Sequence, residues 1–331
     1  MSDAWIDGYD AVFFDLDGVI YLGPKAVPGA AAATNELLKR GKRLMYVTNN
    51  AARPADTVVA QLRSLGYTAD LDMVLTSAQV AAEYLGKELA PGTRILVAGS
   101  PNLSNLLAGA GLEPVSKAAD KPEAVILGYD PAMAWPLLDE ATLAIGAGAK
   151  WYATNNDGSR PTDRGLVLGV GGMIAAIQTA LGGEPAVFGK PHLPMLEEAV
   201  RRTGAKNPVF VGDRVDTDIM GANAAGMDSY LVFTGAHGKR DLVAAGPQGR
   251  PTAIGPDVAG LLRAPRKLRV NPGEATCDGQ WVVMRRGKVK LGTSPTSADA
   301  QYSALWAAAN LVWNSRAGDA RPVFTKLGLV P

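Results

Sequence analysis

The chain has 331 residues, of which 47% are hydrophobic and 20% charged, and a formal net charge of +1. That length exceeds one ordinary core and fits two or three domains, and the near-neutral balance excludes both a disordered acidic chain and a basic nucleic-acid coat. The single cysteine, Cys277, excludes an intramolecular disulfide and a cysteine-rich zinc site, and no run of about 20 apolar residues is present to span a membrane.

The charge is unevenly distributed. Residues 266–331 hold ten Lys/Arg and four Asp/Glu, a balance of +6, which leaves −5 on the preceding 265 residues. This asymmetry marks a C-terminal module. Asp3 and Asp7 stand where a secretory leader needs Lys or Arg. With the lone cysteine, which fits a reducing compartment, they indicate a cytoplasmic protein.

In chain order, Tyr9–Leu16 reads as a buried strand and Ala30–Arg40 as a helix closed by Gly41. A strand over Arg43–Thr48 and a helix over Ala55–Leu65 follow. Further strands are expected at Arg94–Ala98, Ala124–Leu127, Lys150–Ala153, Pro208–Val211 and Ser229–Val232. Helices are expected at Ser77–Leu89, Leu137–Ala147, Val170–Leu181, Pro194–Arg202 and Ile219–Ala225. Such alternation predicts βαβ units and a mostly parallel sheet with helices on both faces. Leu261-Leu262 closes the last helix of this pattern, and Arg263–Arg269 reads as a linker. A hairpin (Trp281–Val283, turning at Arg286-Gly287, to Val289–Leu291) and a helix from Ala298 to Asn310 complete the chain.

Chemistry in parallel sheets collects beyond the carboxyl ends of strands. Four segments satisfy that rule. Phe13-Phe14 leads into Asp15-Leu16-Asp17-Gly18, two carboxylates at i and i+2 that an extended chain presents on one face. Val209-Phe210-Val211 leads into Gly212-Asp213-Arg214-Val215-Asp216-Thr217-Asp218. Four or five carboxylates at two strand ends repel unless a cation or proton is shared, and all-oxygen ligation suits Mg²⁺. Tyr46-Val47 leads into Thr48-Asn49-Asn50, hydroxyl and amide donors for a phosphoryl oxygen. Val187-Phe188 leads into Gly189-Lys190-Pro191, a cation on a loop. Taken singly, each is an ordinary turn or cap. In order, after four apolar strands, they suit phosphoryl transfer, where the task is positioning and charge neutralisation. No dinucleotide loop, P-loop or GxSxG motif occurs, and His192 and His237 have no adjacent nucleophile.

These four segments resemble the motifs of the haloacid dehalogenase (HAD) superfamily, over roughly residues 9–262. The resemblance implies an α/β fold: a HAD-like, doubly wound parallel Rossmannoid core with an inserted α/β cap and a small α+β C-terminal extension. It implies Asp15 as nucleophile, forming an aspartyl-phosphate, and Asp17 as the acid that protonates the leaving alkoxide and then activates water. Mg²⁺ would rest on Asp15, the Asp17 carbonyl and Asp213, with Asp218 behind it, and Thr48, Asn49, Asn50 and Lys190 would hold the phosphoryl oxygens.

Too few residues separate Asp17 from Asn50 for a cap, whereas about 140 lie between Asn49 and Lys190. This resembles the IIA-capped (C2a) branch of NagD and p-nitrophenylphosphatase-like enzymes, as do DGVIYLG at 17–23 and TNNAAR at 48–53. Domains are therefore expected at 1–76 (core), 77–185 (cap), 186–265 (core) and 266–331 (basic extension). Arg160, in the cap loop ATNNDGSRP, would contact the leaving group. The branch implies a small phosphomonoester as partner, no nucleic acid, and a homodimer formed through the cap. The whole pattern, extension included, resembles glycerol-3-phosphate phosphatases of the actinobacterial type, with phosphoglycolate, pyridoxal phosphate and nucleotides as alternative substrates. A non-catalytic regulator using the extension to bind a partner or acyl-CoA is the rival from another class.

Overall fold

The computed structural model of the protein describes residues 4–162, 164–315 and 318–331; residues 1–3 of the acidic N-terminal stretch lie outside the described residues. The chain forms two compact units, Met1–Met45 with Leu65–Thr68 and Thr203–Pro331, and Tyr46–Ser64 with Ala69–Arg202.

In the first unit, strand Ala11–Asp15 is buried along its whole length. It pairs in parallel with Pro208–Gly212, Phe13 opposite Phe210. Asp228–Val232 and Ala253–Gly255 extend the sheet, also in parallel. At the other edge Arg43 N–H donates to Asp10 O at 3.2 Å, where the strand Arg43–Thr48 begins. Covered on both faces, such strands need continuous apolar runs, which AVFFD and PVFVG supply. Helix Ala30–Lys39 turns Ala30, Ala33, Thr34 and Leu37 inward, the i, i+3, i+4, i+7 stripe of an amphipathic helix.

The C-terminal residues belong to this unit. Leu268–Asn271, Glu274–Cys277, Gln280–Arg285 and Lys288–Leu291 form a four-stranded antiparallel sheet in chain order. The reading of Arg263–Arg269 as a linker is corrected here, because its end opens the first of these strands. Asp278-Gly279 and Arg286-Gly287 both have positive φ, as the tightest hairpin turns require. Asp-Gly is the stronger sequence signal of the two, and only the Arg-Gly turn was expected. Helix Ala298–Trp313 is capped by the Ser297 hydroxyl, which accepts from Ala300 N–H at 3.2 Å. Its buried residues Leu305, Trp306 and Ala308 share one apolar cluster with Ile219, Leu231 and Phe233 of the parallel-sheet part. The expected last helix is a 3₁₀ turn, Val258–Leu262.

In the second unit, Tyr46–Thr48 pairs in parallel with Val74–Thr76. Helix Ser77–Glu88 starts with a capping box: Thr76 Oγ1 accepts from Gln79 N–H at 3.2 Å, and Thr76 N–H donates back to Gln79 Oε1 at 2.9 Å. A separate parallel sheet runs Ala186–Val187, Lys150–Ala153, Ala124–Leu127, Arg94–Ala98, Glu113–Val115. Helices Trp135–Gly146 and Val170–Leu181 pack with it around Leu96, Val125, Leu127 and Ile174. Helix Pro101–Gly109, not expected, carries a clear start signal: Ser100 as cap and Pro101 in the first turn. Among the described residues no helix is long and apolar enough to cross a membrane.

Cys277 is fully buried, and burial, followed by the neighbouring Asp278 charge, pushes its thiol up to about 12. The thiolate is therefore absent near neutral pH. A thiol reagent should label Cys277 only after denaturation; labelling of the native protein at the rate of free cysteine would contradict this packing. Replacing Leu305 by Ala should lower unfolding stability by about 2–5 kcal/mol in urea titrations, as for a large residue removed from a filled core.

Candidate active site

Strand Ala11–Asp15 ends on its carboxylate, and the parallel register sets the end of Pro208–Gly212 beside it. The next residue after that second strand is Asp213. A wide π-type turn, Val215–Ile219, then brings Asp218 back. Asp15, Asp213 and Asp218 are all buried, and each offers a carboxylate oxygen within 4.8 Å of the others. Three oxygen anions so placed repel, and a hard divalent cation satisfies them with the ligand type it prefers. Asp17 lies two residues beyond and is exposed, outside this cluster. Asp216, counted with the acidic knot in the sequence, turns away: Arg214 holds it through Nη2 to Oδ2 at 2.7 Å and Nε to Oδ1 at 3.1 Å.

The turn after Asp15 is closed by the Leu16 carbonyl, which accepts from Ile20 N–H at 2.9 Å and Tyr21 N–H at 3.2 Å. Gly18 has φ +90°, and a Cβ there would lie 2.5 Å from Asp213 Oδ2. Gly212 and Gly235 are equally confined, against Asp218 and Asp213 respectively. Loop Thr234–His237 completes the surround. The Thr234 hydroxyl donates to Gly18 O at 2.5 Å, and Ala236 N–H donates to Asp213 Oδ2 at 2.5 Å. His237 N–H donates to Asp213 O at 3.3 Å, and the ring Nδ1 accepts from Val215 N–H at 2.9 Å. Asp218 Oδ2 accepts from Arg214 N–H at 3.1 Å. From the sequence His237 is noted only for lacking an adjacent nucleophile, because the donors this loop turns on Asp213 are backbone N–H groups that leave no side-chain signature.

In the second unit, Thr48 ends its strand and its hydroxyl accepts from Asn50 N–H at 3.1 Å, while Asn50 Oδ1 accepts from Ala52 N–H at 3.0 Å. Asn49 is a junction. Its Oδ1 accepts from Lys190 N–H at 2.8 Å, and its amide donates to Lys190 O at 3.0 Å and to both Asp157 oxygens at 3.2 Å. Its carbonyl accepts from Asn155 Nδ2 at 2.8 Å and from the Ser77 hydroxyl at 2.7 Å. The structure thus brings Asn49 and Lys190 together, with the Asn49 amide engaged inside the fold. Gly189 has no room for a side chain, since a Cβ would lie 2.6 Å from Asn49 Oδ1 and 2.7 Å from Thr154 O.

Arg160 sits on hairpin strand Ser159–Thr162, its guanidinium carbon 4.4 Å from the centre of the Tyr129 ring. Asn155 and Asp157, on the loop leading to it, were not singled out in the sequence, since their partners are distant in the chain. Gly18→Ala should cost about 1–3 kcal/mol through its left-handed backbone alone, and should also displace Asp213. Urea unfolding and turnover should both fall, and a variant with unchanged turnover would contradict the crowding.

Comparison with known proteins places this geometry. Residues 12–113 match the family model described as haloacid dehalogenase-like hydrolase, and residues 187–261 match a HAD-hydrolase-like model. The chain is 42% identical over 316 residues to D-glycerol 3-phosphate phosphatase of Mycobacterium tuberculosis, covering 94% of this chain and 88% of that protein. Its fold is similar to the crystal structure of a glycerol phosphate phosphatase from M. tuberculosis in complex with magnesium, with a TM-score of 0.85, 37% identity, and coverage of 99% and 98% of the two chains. A p-nitrophenyl phosphatase from Archaeoglobus fulgidus matches with a TM-score of 0.71 and 27% identity over 77% of this chain and 98% of its own. The chain belongs to the haloacid dehalogenase-like hydrolases.

Proposed function

We propose that this hydrolase is a magnesium-dependent phosphatase that cleaves glycerol 3-phosphate to glycerol and phosphate. The observation that carries the chemistry is the buried group of Asp15, Asp213 and Asp218 at adjoining strand ends. Its similarity over nearly the whole chain to D-glycerol 3-phosphate phosphatase supports the substrate.

Asp15 and Asp213, the Asp17 carbonyl and, behind them, Asp218 would hold Mg²⁺. The ion supplies charge neutralisation for the phosphoryl group and for the carboxylates around it. The Asp15 carboxylate attacks phosphorus in line, and the bond to the glycerol oxygen breaks. Asp17, exposed at the mouth of the turn, gives its proton to that leaving oxygen. It then takes a proton from water, whose attack on the aspartyl-phosphate frees phosphate and restores Asp15. Lys190 supplies a cation, and Thr48 and Asn50 polar groups, for the phosphoryl oxygens. Asn49 serves the same group by fixing the Lys190 backbone. Arg160, in the segment 77–185 that we assign as the cap, provides a planar donor for the glycerol hydroxyls. Exposed Leu166 and Leu168 on the second hairpin strand fit pairing of two copies through the cap, and the lone buried cysteine fits a cytoplasmic setting.

Asp15→Asn should abolish phosphate release from glycerol 3-phosphate, because an amide is a poor nucleophile; wild-type turnover in that variant would sink the mechanism. Lys190→Met should lower kcat by about 10²–10³-fold, the usual cost of one preorganised charge-stabilising group. Chelation by EDTA should stop hydrolysis and added Mg²⁺ restore it, whereas turnover unaffected by the chelator would overturn the metal assignment.

A further inference from the structure

Loop Thr234–His237 supplies the backbone donors around Asp213, and inside it the Thr234 hydroxyl donates to Gly18 O while the His237 ring accepts from Val215 N–H. The loop is short, contains Gly235, and is followed by Gly238. Its ends are held from elsewhere in the same unit. At the entry, Phe233 packs against Tyr302 of helix Ala298–Trp313, with ring centroids 5.3 Å apart. At the exit, Lys239 N–H donates to Pro331 O at 2.8 Å. The Lys239 ammonium reaches two further carbonyls of the same segment, Leu327 O at 2.9 Å and Val330 O at 2.6 Å. Gly238 admits this approach only because it has no side chain, as a Cβ there would lie 2.8 Å from Pro331 O. Leu327 and Val330 are themselves buried in the apolar cluster that the extension shares with Phe233. The carbonyls that grip Lys239 are therefore fixed by packing.

We propose that the C-terminal extension acts as a brace for the metal-binding carboxylate: Tyr302 at one end and residues 327–331 at the other fix loop 234–237, which in turn orients Asp213. Lys239 is the positioning residue of this brace and touches no reacting atom. The inference rests on the reading of Asp213 as a Mg²⁺ ligand. It gives the extension a role that its composition did not reveal, through backbone carbonyls and aromatic packing. Partners that orient metal ligands typically influence metal affinity by 10–100-fold, and a brace one step further out acts at the lower end of that range.

The test is Mg²⁺ binding to the full chain, by calorimetry and by the Mg²⁺-induced rise in Tm, in wild type, Lys239→Met and Lys239→Arg. Lys239→Met keeps the aliphatic stem and loses the side-chain donors, and should bind Mg²⁺ about 10-fold more weakly. Lys239→Arg, which can still donate to two carbonyls, should bind like wild type. Unchanged Mg²⁺ affinity in a folded Lys239→Met protein would overturn the brace. Should that variant fail to fold, Tyr302→Leu provides the same comparison at the other end of the loop. Asp213→Asn separates the two levels of argument. If it retains wild-type Mg²⁺ affinity, the metal assignment itself fails; if it alone weakens binding, only the brace fails.

Discussion

Three buried carboxylates with oxygens within 4.8 Å of one another resist being brought together. At such separations each pair of unit charges repels by about 4 kcal/mol at an effective dielectric near 20. The first unit is arranged so that this repulsion is imposed by stronger forces. Ala11–Asp15 and Pro208–Gly212 are committed to parallel pairing by their apolar residues, and that pairing sets Asp15 beside Asp213. The wide turn at Val215–Ile219 returns Asp218 to the same place, with Ile219 anchored in the core. Gly18, Gly212 and Gly235 let backbone approach carboxylate where no other residue fits. The assembly is a demand for positive charge built into the fold before any ligand arrives.

The second unit treats its polar residues differently. Asn49 there is a structural junction, its side chain shared between Lys190 and Asp157 and its carbonyl between Ser77 and Asn155. One buried amide thus couples the loop carrying Lys190 to the loop that leads to Arg160. Loss of that amide would remove its bonds to the Lys190 backbone N–H and carbonyl and to the Asp157 carboxylate.

The +6 balance of the extension marks it as a module, yet many of its cations sit on the surface or in local pairs. Arg321 lies against Asp319 and Arg266 against Asp299. The extension joins the rest of the first unit through Leu305 and Trp306 in the shared cluster, Trp313 Nε1 to Val243 O at 3.3 Å, the Lys239 contacts, and Arg250, whose guanidinium carbon lies 5.3 Å from the centre of the Trp313 ring.

Local rules account for much of what the sequence determined by itself. Continuous apolar runs specified the central strands, amphipathic periodicity specified helices such as Ala30–Lys39, and the four polar segments at strand ends carried the family resemblance. Short or irregular pieces escaped: strands Glu113–Val115 and Ala253–Gly255 are three residues each and lack a period to read. Only the tertiary structure decided which carboxylates converge, turning Asp216 onto Arg214 while drawing in Asp218. It alone revealed that Asn49 is spent on Lys190 and Asp157, that Ala236 and His237 hold Asp213 by backbone bonds, and that Lys239 meets residues 327–331. The bonds of Asn49 to Lys190, of Ala236 and His237 to Asp213, and of Lys239 to residues 327–331 depend on where a backbone donor or acceptor lies after folding, and every residue carries the same backbone groups whatever its side chain. The pairings of Asp216 with Arg214 and of Asn49 with Asp157 join side chains that the fold alone brings within reach.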